Sequence, residues 1–423
     1  MHIHFVFPSW TKLLEDHPEL ESTLSAFDLG NFKMAGLGIP AAAGALPPGH
    51  TASLVDENVC PVDYSVEADL IAISFFTPQA GRACSIAGKF ADRGLPVIGG
   101  GIHPTAVPRE SLDNFTSVVR GPVEGLWREI LADLSGGALK KIYTGAADAP
   151  FAQPRRTLFE HSPYLQADIV QTARGCEVGC PFCVVPACYG SQVRLKPVEA
   201  VIEDLNSLRR CSFFFADENL LFADSGNRAY LEELLEAMIS RRVRRFFFLA
   251  SYPFIIRGVP GPLWRRLADA GCRQVYLVLG LQRPLTDELK DDDLKRKMAL
   301  MKEAGIEAMS TFTLGHDSDP PAVENLILDF CEETRSNLVE FTIRTPFPGT
   351  AEYNDLSGQG RILTRDWSRY NAANVVFEPR GQSAESLREM YLRLWRRVYG
   401  GVSGFEMNKR YLQGFGKGIF GKS

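Results

Sequence analysis

Three cysteines lie within eight residues of one another, in the run RGCEVGCPFC at positions 174–183. Their C-x3-C-x2-C spacing allows three thiolates to converge from one short loop, an arrangement that iron–sulfur clusters favour. Three thiolates bind three irons of a cubane and leave the fourth iron open to another ligand. The two glycines in the run allow the backbone to turn tightly around such a group. The run therefore predicts a [4Fe–4S] cluster on Cys176, Cys180 and Cys183.

A structural zinc site is the alternative for the same residues. Zinc normally binds four ligands, and Cys188 follows closely enough in the sequence to be the fourth. Structural zinc sites, however, usually come as two separated cysteine or Cys/His pairs, so the spacing favours the iron–sulfur cluster. The chain has nine cysteines, an odd count that does not indicate a framework of disulfides.

The elements that must position this loop alternate between strands and helices. Up to residue 145, the expected elements are strands at 4–7, 52–56, 69–76, 96–98 and 117–120, with helices at 37–46 and 80–93. This alternation predicts an α/β domain with a doubly wound, Rossmann-like sheet, in which ligands bind at the carboxyl ends of the strands. Those ends are Phe76 with Thr77, and the glycine-rich run at 99–105.

A second series of strands and helices spans residues 166–345. Its expected strands lie at 169–172, 213–216, 245–250, 274–280, 308–314 and 338–343. Six βα units predict a partial (β/α)6 TIM-type barrel, with its chemistry at the carboxyl ends of the strands. Residues 146–165 are rich in Pro, Ala and Asp and are expected to form a linker. Residues 346–423 are expected to form a mostly helical C-terminal segment.

Polar residues and glycines follow several of the barrel strands. Asp217 and Asn219 come after the second strand, Gln282 after the fourth, and Thr311 and Gly315 belong to the end of the fifth. These positions would form the mouth of the barrel, where a cofactor site is expected. For Asp217 or Asn219 taken singly, a solvated loop is an equally good interpretation.

The cysteine spacing after the first strand of a βα barrel resembles the signature of the radical S-adenosylmethionine (SAM) superfamily. The aromatic residue before the third cysteine, Phe182, fits the same pattern. The resemblance implies that SAM binds the open iron and is split to a 5′-deoxyadenosyl radical, which abstracts hydrogen. The residues implied for SAM binding are Phe182, Asp217, Asn219, Gln282, Thr311 and Gly315.

The first domain resembles the cobalamin-binding domain that precedes the barrel in one large subclass of this superfamily. That subclass is of the hopanoid-methylase and anaerobic magnesium-protoporphyrin-ester-cyclase type. The matching stretches are GLGIP, LPPGH, LVDEN, DLIAISFFT, GLPVIGGGIHPT and VVRGPVEGLW, together with TARGC and RTPFPGT in the barrel. The cobalamin contacts implied by the resemblance are Thr77, Gly99, Gly100, His103, Thr105 and Glu124.

The first domain also departs from related patterns. The D-x-H-x-x-G motif, which supplies a lower axial histidine in other cobalamin proteins, is absent, as is normal for this subclass. His103 is therefore not expected to bind cobalt. The run GPVE at 121–124 stands where relatives often carry Gly-Glu-x-Glu, so one acid is lost. A domain that keeps the fold without the cofactor is the alternative, because a shared fold does not fix function.

The resemblance implies a cobalamin-dependent radical SAM methyltransferase. In such an enzyme the deoxyadenosyl radical removes hydrogen from an unactivated carbon, and the substrate radical takes a methyl group from methylcobalamin. A radical cyclase, rearrangement or oxidation enzyme without methyl transfer is the first alternative. A non-catalytic cobalamin- or metal-binding regulator is the second, and the cysteine spacing at a strand end argues against it.

Composition limits the partners of the chain. A net charge of −5, from 46 basic and 51 acidic residues, argues against general nucleic-acid binding. A small-molecule or lipid-like substrate is expected, and the radical chemistry calls for an electron donor such as flavodoxin or ferredoxin. No apolar run approaches the ~20 residues that span a bilayer, and no signal peptide is recognisable, so a cytoplasmic protein is expected.

Overall fold

The computed structural model of the chain describes residues 1–24, 36–160, 168–218, 220–221, 225–403 and 406. Two six-stranded parallel sheets form its framework, with helices packed on their faces. A short antiparallel pair of strands brackets the cysteine loop. The expected α/β class is confirmed, and neither sheet closes into a barrel within the described ranges.

The first sheet has the strand order β2-β1-β3-β4-β5-β6. Its strands are β1 (His2–Phe7), β2 (Thr51–Asp56), β3 (Leu70–Ser74), β4 (Val97–Gly100), β5 (Ser117–Arg120) and β6 (Ile142–Thr144). The helices of this part of the chain are α1 (Leu13–Asp16), α2 (Glu21–Leu24), α3 (Gly38–Gly44), α4 (Ala80–Ala91), α5 (Ile102–Ala106), α6 (Pro108–Ser111) and α7 (Trp127–Ser135). The winding direction reverses between β1 and β3, and ligands of doubly wound sheets bind at such a switch point.

Both faces of the first sheet are buried, because helices cover each of them. On one face Val6 and Ile73 pack with α4, and on the other Phe5 and Ala72 pack with α3 and α7. Successive residues of β1 and β3 therefore enter opposite cores. This is why β3 is a nearly continuous apolar run in the sequence, whereas β1 is continuously apolar only after His4.

The second sheet has the strand order β14-β13-β12-β11-β10-β7. The strands of this half of the chain are β7 (Asp168–Val170), β8 (Ala173–Arg174), β9 (Arg194–Leu195), β10 (Ser212–Phe215), β11 (Phe246–Ser251), β12 (Cys272–Leu279), β13 (Glu307–Leu314) and β14 (Leu338–Ile343). Strands β8 and β9 form the antiparallel pair. Neighbours in the sheet follow one another in the chain, which is the order of a six-stranded barrel that stays open.

The helices of this half of the chain are α8 (Val185–Tyr189), α9 (Val198–Ser207), α10 (Ser225–Ser240), α11 (Pro253–Gly258), α12 (Gly261–Asp269), α13 (Leu285–Glu288), α14 (Asp292–Glu303), α15 (Val323–Thr334), α16 (Ala351–Gly358) and α17 (Ala384–Tyr399). All of them except α8 and α16 contribute residues to the core of the second sheet. Phe312 and Phe341 lie on the outer face, since Phe312 contacts Phe330 of α15 and Phe341 contacts Trp395 of α17. The alternate residues Thr311 and Glu340 therefore face the inside of the open barrel.

Helix α17 covers β14, which is the last strand of the second sheet. The hydroxyl of Tyr399 accepts a hydrogen bond from the Val339 N–H at 3.1 Å and donates one to the Val339 carbonyl at 2.5 Å. One side chain thus supplies two bonds that a further strand would have made, and it protects an exposed edge from pairing with another chain.

Each half of the chain contributes residues to the core of the other half. Leu20 and Leu24, near the N-terminus, belong to the core of the second sheet, and His17 bonds the carbonyl of Ala373 at 2.7 Å. In the other direction, Trp367 packs with the core of the first sheet. The division into 1–145, 146–165, 166–345 and 346–423 stays a prediction, and part of the linker and of the tail lies outside the described residues.

Most expected elements are present with shifted ends, and Ser117–Arg120 and Leu338–Ile343 form with the expected bounds. Helix α17 lies in the segment that was expected to be mostly helical. Strands β6, β8 and β9 were not expected, and neither were helix α7 and the short helices α1, α2, α5, α6, α8, α11, α13 and α16. The three strands have only two or three residues each, too few for an alternating pattern to be recognised. No helix in the described parts of the chain is long and apolar enough to cross a membrane.

Substituting Tyr399→Phe should destabilise the second sheet, because both backbone groups of Val339 lose their partner while they remain buried. We expect a loss of about 1–3 kcal/mol, the usual cost of an unsatisfied buried polar group. Urea unfolding of the variant measures the loss. Glu389→Gln on the exposed side of the same helix is the control, and equal midpoints for the two variants would show that the hydroxyl contributes nothing.

Candidate functional site

The cysteine loop connects β8 to β9 and begins at a glycine that no other residue can replace. Gly175 has a φ of +91°, and a Cβ on it would lie 2.2 Å from the carbonyl oxygen of Gln192. Cys176 is buried, whereas Cys180 and Cys183 are partly exposed. The loop is therefore folded tightly, with its three thiols at different depths below one surface.

Neighbouring groups shift the pKa values of the thiols in the loop and form a hydrogen bond with one of them. Burial raises the pKa values of Cys180 and Cys183, and the nearby thiols raise them further. The backbone N–H of Val185 donates to the sulfur of Cys183 at 3.4 Å. Among the described residues, no three His, Cys, Asp or Glu side chains are placed to hold a single metal ion. The donor set of soft thiols on one loop is that of an iron–sulfur cluster.

Asp217 fixes the chain just before the cysteine loop. Its Oδ1 accepts the backbone N–H groups of Thr172 at 2.7 Å and Ala173 at 2.6 Å, and its Oδ2 accepts the Thr172 hydroxyl at 2.9 Å. Burial raises the pKa of Asp217 to about 6, although the three donors favour the carboxylate. These contacts give Asp217 a positioning role, while its predicted contact with SAM stays a prediction.

Gln282 lies against the cysteine loop. Its amide nitrogen donates to the sulfur of Cys180 at 2.9 Å. The turn that carries it contains Gly280, whose φ is +78° and whose Cβ would lie 2.5 Å from the carbonyl of Thr313. Glu288 accepts the N–H of Gly280 at 2.7 Å and so holds the same turn. The end of β12 thus reaches the predicted cluster.

Arg344 joins the end of β14 to the same region, a link that the sequence did not reveal. Its Nη1 donates to the carbonyl of Leu281 at 2.8 Å, and its guanidinium lies 5.7 Å from the ring centre of Phe182. Arg344 also pairs with Glu352, whose backbone N–H donates to the carbonyl of Pro181 at 3.0 Å. Arg344 and Glu352 therefore tie the Gln282 turn to the cysteine loop.

The remaining residues expected to bind SAM differ in their placement. Thr311 lies inside the open barrel and bonds Glu340 at 3.4 Å. Gly315 has a φ of +98°, and its Cβ would lie 2.8 Å from Leu387 of α17. The packing of the C-terminal helix therefore explains this glycine. Asn219 lies outside the described residues.

An apolar cavity of about 430 Å³ lies between the first sheet and the cysteine region. From the first sheet it is lined by the carboxyl ends of β1, β3, β4 and β5, at the switch point where doubly wound sheets bind ligands. From the second half it is lined by Arg174, Cys188, Tyr189 and Glu218, among others. Cys188 is hydrogen-bonded with Thr105 of the first domain. The cavity therefore joins both halves of the molecule.

Of the residues expected to bind cobalamin, Gly100, Thr105 and Glu124 line this cavity. The other three do not. The Cβ of a residue replacing Gly99 would press on the ring of Phe115 at 3.0 Å, so packing requires that glycine.

His103 is buried behind the cavity wall. It bonds the hydroxyl of Thr77 at 3.2 Å and contacts the ring of Trp367, with the centroids 5.7 Å apart. Burial lowers the pKa of His103 to about 4, which keeps the ring neutral near pH 7. His103 and Thr77 therefore connect the first domain to the C-terminal segment.

Arg174 and Glu218 were not identified as site residues from the sequence. Arg174 is 4% exposed, donates to Gln171 and forms an ion pair with Glu124 at 2.5 Å. Burial raises the pKa of Glu218 to about 7. The available signals were the position of Arg174 beside the first cysteine and that of Glu218 after a buried strand.

The contacts of Asp217 lead to a prediction about the cysteine loop. In Asp217→Ala the Thr172 and Ala173 donors lose their acceptor, so the loop should lose its fixed start and bind less iron. We expect iron per chain after anaerobic reconstitution to fall at least severalfold below that of the parent protein. Asp217→Asn, which keeps an acceptor oxygen, is the control. Normal iron loading of Asp217→Ala would contradict the positioning role.

The buried ring of His103 should make stability depend on pH. Its pKa is 6.5 ordinarily and about 4 in the fold, so the unfolded chain binds the proton first as the pH falls. Stability should therefore be lost between about pH 6.5 and pH 4, by up to about 1.4 kcal/mol per pH unit. In His103→Gln this loss should be smaller, as measured by urea unfolding at several pH values. If stability falls with pH equally in the variant and the parent protein, His103 is not the source of the loss.

Comparison with known proteins gives relatives over most of the chain, although no family model matches it. The chain is 28% identical over 365 residues to the bacteriochlorophyllide d C-12(1)-methyltransferase of Chlorobaculum tepidum, covering 81% of this chain and 77% of that protein. It is 26% identical over 389 residues to the hopanoid C-2 methylase of Rhodopseudomonas palustris, covering 85% and 71%.

Solved structures share the fold. The radical SAM methyltransferase TsrM of Kitasatospora setae, solved with cobalamin and a [4Fe–4S] cluster, matches 85% of this chain and 75% of its own at a TM-score of 0.60 and 16% identity. The cobalamin-dependent SAM radical enzyme OxsB matches 85% of this chain and 55% of its own at a TM-score of 0.59 and 15% identity. The resemblance found in the sequence is thus confirmed: this chain is a relative of bacteriochlorophyllide methyltransferases and hopanoid methylases, and it has the fold of cobalamin-dependent radical SAM enzymes.

Proposed function

We propose that the chain is a cobalamin-dependent radical SAM methyltransferase. The observation that carries the proposal is the cavity whose wall comes partly from the switch point of the first sheet and partly from the segments that flank the cysteine loop. A methyl carrier in this cavity and a cluster on the loop would face one another across Arg174 and Cys188. The relatives named as methyltransferases and methylases support methyl transfer over a cyclisation or an oxidation.

The cysteine loop fits an iron–sulfur cluster, since it offers three soft sulfur donors and a backbone held tight by Gly175. When bound, the cluster with SAM supplies an organic radical that removes hydrogen from carbon. Cys176, Cys180 and Cys183 would hold the cluster, and Gln282 would donate a hydrogen bond to one of its thiolates. Hydrogen bonds to cluster sulfurs tune the reduction potential, so Gln282 would act on electron uptake.

The residues of the cavity fit a large, mostly apolar ligand with polar substituents. When bound there, cobalamin supplies a methyl group for transfer to carbon. Gly100, Thr105 and Glu124 would contact it. Phe182 and Thr311 are proposed on the SAM side, where Arg344 fixes the orientation of the loop.

The substrate is proposed to be a small molecule or a lipid-like compound. The relatives are named for action on a bacteriochlorophyllide and on hopanoids, both of which are large and mostly apolar. The inside of the open barrel, with Thr311 and Glu340 on its wall, is the space available to such a compound. An electron donor of the flavodoxin or ferredoxin kind is proposed to reduce the cluster.

The proposal predicts that the reconstituted full chain contains about four irons and one cobalt. With SAM and a reductant it should release 5′-deoxyadenosine and S-adenosylhomocysteine. Cys180→Ala should lose most of the iron and both products, whereas Cys60→Ala, an exposed cysteine far along the chain, should keep them. Metal analysis and chromatography measure these outcomes. Iron without cobalt, and deoxyadenosine alone, would exclude methyl transfer from cobalamin.

A further inference from the structure

Two residues that line the cavity each have a buried polar atom without a partner within the described structure. The atoms are Nη1 of Arg174 and Oε2 of Glu218. Both residues line the cavity, whose remaining wall is mostly apolar. Polar atoms buried in this way cost free energy unless something bonds them, so their presence in a cavity points to a ligand.

The position of Arg174 is fixed by its other contacts. Its Nη2 pairs with Glu124, its Nε donates to Gln171 at 2.9 Å, and its guanidinium lies 4.9 Å from the ring of Phe151 and 5.4 Å from that of Tyr189. A guanidinium held on these sides has little freedom to reach another partner. Its Nη1 donor therefore stays without a protein partner, in a residue that lines the cavity.

Glu218 complements this donor. The residue follows Asp217, whose carboxylate is held by the backbone N–H groups of Thr172 and Ala173, so its backbone is anchored. One side of its carboxyl group interacts with its own backbone N–H, and Oε2 remains without a partner. Arg174 acts electrostatically on Glu218, and both residues line the same cavity.

The chemistry of the pair restricts the ligand group. A carboxylate would face the acidic Glu218, and an ammonium group would face Arg174. A carboxamide suits both, because its oxygen accepts from Nη1 and its nitrogen donates to Oε2. The corrin ring of cobalamin carries such carboxamides along its rim.

We propose that Arg174 and Glu218 together bind a side-chain carboxamide of the corrinoid in the cavity, and so select amidated corrinoids. This inference rests on the proposed function, since it assumes that the cavity binds cobalamin. The inference adds to the proposed function a pair of residues that would select among corrinoids. Because Arg174 immediately precedes Gly175 of the cysteine loop, the ligand would contact the residue from which that loop starts.

The test measures corrinoid affinity and needs no substrate. The full chain with its cluster reconstituted is dialysed against cobinamide, which carries amides, or against heptamethyl cobyrinate, whose side chains are methyl esters. Both probes lack the nucleotide tail, and corrin absorbance gives the bound fraction. We expect cobinamide to bind about tenfold more tightly, the effect of about one lost hydrogen bond to a charged group.

Three variants separate the contributions of Arg174 and Glu218 to corrinoid binding. In Glu218→Gln the new amide can donate to an ester carbonyl, so the preference for cobinamide should fall towards one. In Arg174→Lys the affinity for both probes should fall by a similar factor, since both keep carbonyl oxygens. Glu199→Gln changes an exposed carboxylate that does not line the cavity, so its preference should match that of the parent chain.

The outcomes are distinguishable. If the parent chain binds neither probe nor hydroxocobalamin, the cobalamin part of the proposed function fails, and the inference fails with it. If hydroxocobalamin binds but the parent shows no preference between the probes, or Glu218→Gln keeps the full preference, the inference is overturned while the proposed function stands. Should Arg174→Lys not fold, Glu218→Gln alone still decides the result.

Discussion

The carboxylate of Asp217 determines where the cysteine loop begins, and the rest of the site depends on that point. Sheet bonding of β7 stops at Val170, so the next backbone N–H groups need another acceptor inside the protein. Asp217 accepts two of them together with a hydroxyl. Burial of the carboxyl group raises its pKa, because a charged group loses hydration in the interior. The three hydrogen bonds offset part of that cost. Cys176 follows three residues after the last of these donors. The contacts of Asp217 therefore fix how deeply the thiol of Cys176 is buried.

The ion pair between Arg174 and Glu124 sets the position of the first domain relative to that loop. Both side chains are almost fully buried, at 5% and 7% exposure. Buried pairs of this kind add little net stability, because the loss of hydration cancels much of the attraction, but removal of one partner leaves a costly unpaired charge. The pair therefore acts as a geometric constraint, which holds the wall of the cavity at a fixed distance from the cysteines.

The sequence predicted those parts of the molecule that depend on local pattern. The cysteine spacing, the apolar strands and helix α17 each follow from neighbouring residues, and so does the position of Gln282 after the fourth strand of the second series. Contacts between distant segments could not be predicted in this way. Nothing in the run around Arg344 indicates its link to Phe182, and the glycines at 99 and 315 proved to serve packing against Phe115 and Leu387. A glycine in a loop fits a ligand contact and a close side chain equally well, and only the fold separates the two.

The open form of the second sheet explains why the two domains share one space. A closed barrel fills its interior with side chains and joins its first strand to its last. Within the part of the chain that the structure describes, β7 pairs with β10 alone, and Ile169 of β7 lines the cavity together with strand ends of the first sheet. The opposite edge, β14, is sealed by Tyr399. The edge at β14 is thus blocked, whereas the edge at β7 is left for the first domain. The carboxyl ends of both sheets therefore meet at the cysteine loop. A seventh strand beside β7 would separate the cavity from the cysteines and remove the arrangement on which the proposed chemistry depends.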